Sequence, residues 1–109
     1  MTGEPIVAQA GAYIDYNSDK LALAKTGDVV LFFYASWCPT CQAADANFLK
    51  STLPGGLFIL KVDYDLSPEL KKKYGVTYQH TFVQVDEKGN MIKKWSSSTR
   101  VNEVVAQVQ

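Results

Sequence analysis

An unbroken apolar run at residues 29–35 lies just before the pentapeptide Trp-Cys-Pro-Thr-Cys at positions 37–41. A strand with one solvated face alternates in polarity, so an unbroken apolar run is typical of a central strand buried on both faces. Pro39 suits the first position of a helix, because the amide that it lacks has no partner there. The segment therefore predicts a central strand that leads directly into a helix over residues 39–51.

The rest of the chain alternates between strand and helix patterns. Residues 1–11 are expected to form a flexible arm, and residues 12–109 a single domain. The pattern predicts further strands at 12–16, 57–62, 81–85 and 91–95, and further helices at 17–27, 67–75 and 98–108. Parallel crossovers followed by a terminal hairpin predict an α/β fold, with a mixed sheet of four to five strands and helices on both faces.

Composition narrows the classes of partner and compartment. The 11 basic and 11 acidic residues cancel, which argues against nucleic acid or an anionic membrane surface as a partner. No apolar run approaches the length that spans a bilayer. Residues 1–5 lack the basic and apolar regions of a secretory signal. Two locations stay open: the cytoplasm, or an extracytoplasmic compartment if an export leader has been removed.

Both cysteines of the chain, Cys38 and Cys41, lie within the pentapeptide. Unpaired amides and the macrodipole at a helix start stabilise negative charge on the first sulfur. Because the thiolate is the reactive form of cysteine, such a site favours thiol–disulfide exchange. The second sulfur lies one turn later and could close a disulfide. A structural zinc site would need a second ligand pair, and the sequence has none.

The element order, with Trp-Cys-x-x-Cys at the end of the second strand, resembles the thioredoxin superfamily from about Ala12 onward. The resemblance implies a thiol–disulfide oxidoreductase with no bound cofactor beyond a redox-active disulfide. It implies that Cys38 is the exposed nucleophile, that Cys41 is the buried resolving thiol, and that Trp37 shields the site and contributes to the substrate surface. It also implies protein thiol or disulfide substrates and a redox partner protein. We expect a monomer.

Two departures from the thioredoxin pattern affect proton transfer and potential. Thioredoxins usually carry a buried aspartate six residues before the first cysteine, and Phe32 occupies that position here. A base for Cys41 must therefore come from elsewhere, such as water or Lys61. The dipeptide between the cysteines is Pro39-Thr40 rather than Gly-Pro, and this dipeptide tunes the reduction potential in a direction that the sequence leaves open.

The third departure concerns the cis-proline that thioredoxin-like folds place opposite the cysteines, usually followed by threonine. Aligning residues 74–76 and Thr81 with that pattern puts His80 where the proline belongs. A cis bond before a non-proline residue costs about 2.5–4 kcal/mol, so we expect a trans bond between Gln79 and His80. The imidazole can then face the sulfurs, either stabilising the Cys38 thiolate or accepting a proton. A further interpretation is an uninvolved loop histidine, which the placement of His80 beside the expected site disfavours.

A metal site is the alternative interpretation of His80. Cys38, Cys41 and His80 would form a ligand set suited to Cu(I) or Zn(II). The segment from Gln79 to Asn90 is similar to the histidine-bearing segment of the Sco copper-delivery proteins. Those proteins space their cysteines one residue wider and are longer, so the sequence favours thiol exchange over metal binding.

Overall fold

The structure is a computed structural model, and it describes residues 10–109. Residues 1–9 of the predicted arm lie outside the described residues. The strands are β1 (Ala12–Asp15), β2 (Asp28–Tyr34), β3 (Leu57–Asp63), β4 (Thr81–Val85) and β5 (Met91–Ser96). The α-helices are α1 (Pro39–Lys50), α2 (Pro68–Tyr74) and α3 (Val101–Gln107), and a 3₁₀ helix spans Ser18–Lys25.

The strands form one five-stranded sheet in the order β1-β3-β2-β4-β5. Strands β1 and β2 both run parallel to β3, whereas β4 runs antiparallel to β2 and β5 antiparallel to β4. The predicted mixed sheet is confirmed. Strand β2 is central, and its five interior residues are buried, as its unbroken apolar sequence predicted.

Alternate residues of β2 face two separate hydrophobic cores. Val30 and Phe32 lie in one core with Ala44 and Phe48 of α1, and Val104 of α3 completes this face. The opposite core contains the remaining apolar residues of the central strands together with α2 and the 3₁₀ helix: Val29, Leu31, Phe33, Tyr74 and Leu21. Helical segments therefore cover both faces of the sheet, which confirms the predicted layering.

Local differences from the predicted elements have physical causes. The segment after β1 is a 3₁₀ helix, and none of its residues is buried, so burial does not favour a regular amphipathic α-helix there. In α1 the buried residues recur at Cys41, Ala44 and Phe48, and the apolar side chains of Ala43 and Leu49 are exposed. Within residues 10–109, no helix is long and apolar enough to cross a membrane.

Candidate functional site

Cys38 lies at the junction between β2 and α1. It is the N-cap residue of α1, with extended backbone angles, and Pro39 takes the first helical position as predicted. The backbone amide of Cys41 donates a hydrogen bond to the Cys38 sulfur at 3.2 Å. The sulfur thus takes the place of the side-chain oxygen that usually caps a helix, and it lies at the positive end of the helix dipole.

Both cysteines are reduced, and their sulfurs lie within 4.8 Å of one another. Cys41 is fully buried beside Ala44, while Cys38 is 2% exposed. The expectation that Cys38 is exposed is therefore wrong for this arrangement. The side chains of Thr40 and His80 lie against the first sulfur and account for part of its cover. Any group that reacts with this sulfur must displace part of that cover.

The two thiols have pKa values shifted in opposite directions. Burial alone would raise the pKa of Cys38, but hydrogen bonds that its thiolate form accepts from the Cys41 thiol and amide, the Thr40 hydroxyl and the Gln79 side chain together lower it below its ordinary value. Burial raises the pKa of Cys41 to about 12, and hydrogen bonding from the backbone of Ala35 opposes this only in part. Of the two thiols, Cys38 is therefore the one that ionises more readily.

His80 lies directly before β4 and faces the cysteines, as its alignment with the cis-proline position predicted. All peptide bonds in residues 10–109 are trans, including the bond between Gln79 and His80. His80 adopts a φ of 62°, in the left-handed region that few non-glycine residues enter. Its amide donates to the carbonyl of Phe33 at 2.8 Å, and its own carbonyl accepts from Ser97 at 3.1 Å. Proline could neither donate the first bond nor adopt this φ.

Both ring nitrogens of His80 have hydrogen-bond partners. The Nδ1 atom lies 2.8 Å from the Thr40 hydroxyl, and Nε2 lies 2.7 Å from the carbonyl oxygen of Ser98. The same Thr40 hydroxyl lies 3.3 Å from the Cys38 sulfur. The Ser98 side chain is held in turn by the indole of Trp95, which donates to it at 3.0 Å. Thr40 thus connects the first thiol to the imidazole.

Aromatic rings hold the imidazole from the sheet side. The ring centroids of Phe32 and Phe82 each lie 5.7 Å from that of His80. Phe32 stacks on Phe82 at 4.8 Å, and Phe82 stacks on Trp95 at 5.6 Å. The position where thioredoxins usually carry a buried carboxylate is therefore part of an apolar, aromatic wall.

The other predicted site residues have distinct surroundings. Trp37 is 55% exposed, donates from its indole to Asp65 at 2.8 Å, and meets the ring of Tyr64 edge-on. Thr81 is buried, and its hydroxyl donates to the carbonyl of Tyr78 at 2.9 Å, which is a structural bond at the start of β4. Trp37 is thus available at the surface, whereas Thr81 is not.

Lys61 has a partner of its own on the side of the sheet that α1 covers. Its ammonium forms a salt bridge with Asp45 of α1 at 3.1 Å and lies over the ring of Tyr34 at 4.1 Å. The hydroxyl of Tyr13 donates to the same carboxylate oxygen at 2.6 Å. Lys61 is therefore held in an ion pair rather than standing alone in solvent.

Cys38, Cys41 and His80 were also predicted as an alternative metal site. One candidate ligand atom from each residue lies within 4.8 Å of the other two. A metal at Nδ1 would displace the hydrogen bond to Thr40, and a metal at Nε2 the bond to Ser98. The three residues are close enough for a shared ion, but the imidazole is already fully engaged.

Sequence reasoning missed Ser98 as the partner of His80. The sequence indicates a polar loop or helix cap at residues 96–98 first and a contact surface second, whereas the group that binds His80 is a backbone carbonyl. Any residue type could supply that carbonyl, so no sequence pattern identifies it.

Curated relatives of the chain are thioredoxins. Thioredoxin Y2 of Arabidopsis thaliana chloroplasts is 26% identical, over 96% of this chain and 64% of that protein. The chloroplast thioredoxin M2 of the same plant is 38% identical over 57% of this chain and 34% of that protein. The chain thus spans between about a third and two thirds of the length of these relatives.

Solved structures show the same fold. A thioredoxin of Malassezia sympodialis superposes with a TM-score of 0.67 and 21% identity, covering 96% of this chain and 94% of its own. A DsbH oxidoreductase superposes with a TM-score of 0.68 and 22% identity, covering 97% and 88%. The thioredoxin family profile matches residues 13–109. Because that match takes in the whole sheet except Ala12, together with both cysteines and all three α-helices, the chain belongs to the thioredoxin family.

Proposed function

We propose that this protein is a thiol–disulfide oxidoreductase that acts on protein substrates through Cys38 and Cys41. One observation carries the proposal: two reduced sulfurs lie within 4.8 Å at the start of a helix, and their pKa values are shifted in opposite directions. A lowered pKa supplies a thiolate for attack, while a raised one keeps the second thiol protonated until it is needed.

In the reducing direction the Cys38 thiolate attacks one sulfur of a substrate disulfide. A mixed disulfide forms as the substrate S–S bond breaks, and the other substrate sulfur leaves as a thiolate that takes up a proton. Cys41 then loses its proton and attacks Cys38, which releases the second substrate thiolate. The substrate has gained two electrons, and the protein holds a Cys38–Cys41 disulfide.

A redox partner protein would return the two electrons, and the same steps in reverse would donate a disulfide to a substrate. No bound cofactor is needed, because the cysteine pair itself carries the two electrons as a dithiol and gives them up when its disulfide forms. Exposed rings suit contact with a protein substrate: Trp37 adjoins the nucleophile, and Tyr78 lies two residues before His80, each of them 55% exposed. Aromatic side chains of this kind are enriched at protein interfaces.

Reduction of insulin disulfides with dithiothreitol as electron donor tests the proposal. We expect the wild type to accelerate precipitation of the insulin B chain and Cys38→Ser to abolish the acceleration. Cys41→Ser should instead accumulate a covalent adduct with the substrate, because attack occurs but resolution does not. Wild-type turnover no faster than that of Cys38→Ser would refute the proposed activity.

Metal binding is the less supported alternative to thiol–disulfide exchange, and a metal titration tests it directly. Reduced protein is titrated with Cu(I), and separately with Zn(II), against a competing chelator. If Cys38, Cys41 and His80 bind the ion together, His80→Asn must weaken its affinity. An affinity that this substitution leaves unchanged excludes histidine ligation.

A further inference from the structure

We propose that Thr40 and His80 form a proton relay for Cys38, in which the Thr40 hydroxyl passes the thiol proton to Nδ1 of His80. The relay deepens the proposed function, on which it rests for its use in catalysis. It assigns a proton-transfer role to Thr40 and gives the histidine at the cis-proline position a defined partner. Three contacts in series carry the proposal: the Cys38 sulfur lies 3.3 Å from the Thr40 hydroxyl, that hydroxyl lies 2.8 Å from Nδ1 of His80, and Nε2 of His80 lies 2.7 Å from the carbonyl oxygen of Ser98.

The first step of the argument fixes the histidine tautomer. A carbonyl oxygen can only accept, so the 2.7 Å contact between Nε2 and Ser98 places a proton on Nε2. In the neutral imidazole, Nδ1 then carries a lone pair and acts as an acceptor. The carbonyl of Ser98 therefore orients the ring as the third member of a catalytic triad orients its histidine.

The second step fixes the direction of the remaining hydrogen bonds. The Thr40 hydroxyl has a single proton, and the 2.8 Å contact to Nδ1 uses it. The hydroxyl oxygen can then only accept from Cys38, whose thiol is 3.3 Å away and donates. The resulting order is thiol to hydroxyl to imidazole, with every donor facing an acceptor.

Proton transfer reverses the polarity of this series without any change in total protons or electrons. The Cys38 proton moves to the Thr40 oxygen as the Thr40 proton moves to Nδ1. The products are a Cys38 thiolate and an imidazolium, with Thr40 now donating to sulfur and Nδ1 donating to Thr40. The thiolate keeps its hydrogen bond from the Cys41 amide throughout. Hydrogen bonds to the charged form stabilise it.

The surroundings of the imidazole restrict the relay to one thiol. Its ring packs on Phe32 and Phe82, which carry no ionisable group. Cys38 and Cys41, which lie at the start of α1 and within it, each place a sulfur within 4.8 Å of the imidazole. Thr40 is hydrogen-bonded to the first of these sulfurs, so the acceptor serves the leading cysteine.

The test measures how fast iodoacetamide alkylates Cys38 in the reduced protein as the pH is varied, with mass spectrometry to locate the label. Thr40→Val keeps the shape of the side chain and removes the hydroxyl, whereas Thr40→Ser keeps the hydroxyl. Thr40 is exposed, so neither change disturbs the core. The same change in the loop after α1, Thr52→Val, is the matched control, and His80→Asn removes the proton acceptor with a residue that tolerates a positive φ.

We expect Thr40→Val to slow alkylation about tenfold at neutral pH and to move the profile to higher pH, because the thiolate loses a charge-assisted hydrogen bond. Thr40→Ser and Thr52→Val should stay close to the wild type. His80→Asn should slow the reaction similarly, and the double variant no further, because both changes break one relay. A wild-type profile for Thr40→Val, or additive effects in the double variant, would overturn the relay.

The location of the proton gives a second, independent measurement. At the lowest pH where ultraviolet absorbance reports the thiolate, the ¹⁵N chemical shift of Nδ1 should be that of a protonated nitrogen. An unprotonated Nδ1 beside a thiolate would contradict the relay. Alkylation needs no protein substrate, so Thr40-dependent alkylation without insulin reduction would reject the activity and keep the relay. Insulin reduction with alkylation that does not depend on Thr40 would reject the relay and keep the activity.

Discussion

Replacing Phe32 by leucine tests how much the aromatic wall beside His80 stabilises the fold. Phe32 and its neighbour Phe33 are both fully buried on β2, but they face opposite cores. Within residues 10–109, Phe33 forms no ring-to-ring contact, whereas Phe32 meets the rings of Phe82 at 4.8 Å, Phe48 at 5.5 Å and Tyr34 at 6.0 Å. Phe33→Leu is therefore the matched control.

Both substitutions remove the same kind of buried apolar atoms, so the hydrophobic contribution to the free energy of unfolding falls equally in the two variants. The difference between their losses therefore measures the contribution of the ring-to-ring contacts. An aromatic pair contributes about 0.5–1.5 kcal/mol beyond its buried area. His80 and Tyr13 are further ring partners of Phe32, so five ring contacts are lost. Because leucine restores part of the contact, Phe32→Leu should cost roughly 1–3 kcal/mol more than Phe33→Leu. That is a large part of the roughly 5–15 kcal/mol by which a domain is stable.

Urea denaturation of the reduced proteins, followed by circular dichroism, measures the difference in the free energy of unfolding. The comparison requires equal slopes against denaturant, since a changed slope would indicate a changed unfolded state. Equal losses for the two variants would refute the reasoning, because ring geometry would then add nothing to apolar burial. A larger loss for Phe33→Leu would place the principal stabilising packing in the opposite core.

Three further outcomes are expected. Iodoacetamide should label Cys38 near neutral pH and leave Cys41 unlabelled in mildly alkaline solution, since burial raises the pKa of Cys41 to about 12; equal labelling by mass spectrometry would contradict this. A hydrogen bond from the Thr99 amide holds the pKa of Glu103 in the folded protein below its ordinary 4.5. The Glu103 carboxylate therefore stabilises the fold fully above pH 4.5, and this stabilisation is lost as the pH falls through the lower pKa of the folded state. Glu103→Gln should therefore flatten the acid limb of a thermal-melting profile. Gly75 ends α2 at a φ of 64°, so Gly75→Ala should cost about 1–2 kcal/mol in urea denaturation, and Gly75→Asn less.

The central part of the fold was predictable because it depends on local chemistry. The apolar run of β2 is typical of a strand in the middle of a covered sheet, and Pro39 after Cys38 favours the start of a helix. Gly75 marked the end of α2, where its left-handed conformation is observed. The sequence also placed His80 opposite the cysteines, but through family resemblance rather than through any local pattern.

The partners of His80 were not predictable, since they come from distant parts of the chain and one of them is a backbone atom. Thr40 lies 40 residues before His80 and Ser98 lies 18 residues after it. Only the pairing of β2 with β4, and of β4 with β5, brings them together. The burial of Cys38 was missed for the same reason, because the groups that lie against its sulfur include the imidazole of His80, the residue directly before β4.

The two main departures from the thioredoxin pattern are in contact, and together they change which thiol has a proton acceptor. A buried carboxylate at position 32 would assist Cys41, but Phe32 places a ring there, and the pKa of Cys41 stands at about 12. His80 supplies an acceptor that a proline could not, and through Thr40 that acceptor reaches Cys38. In the proposed exchange the site is therefore prepared for the first attack rather than for the resolving one. We expect release of the mixed disulfide, which requires Cys41 to lose its proton, to be the slower step.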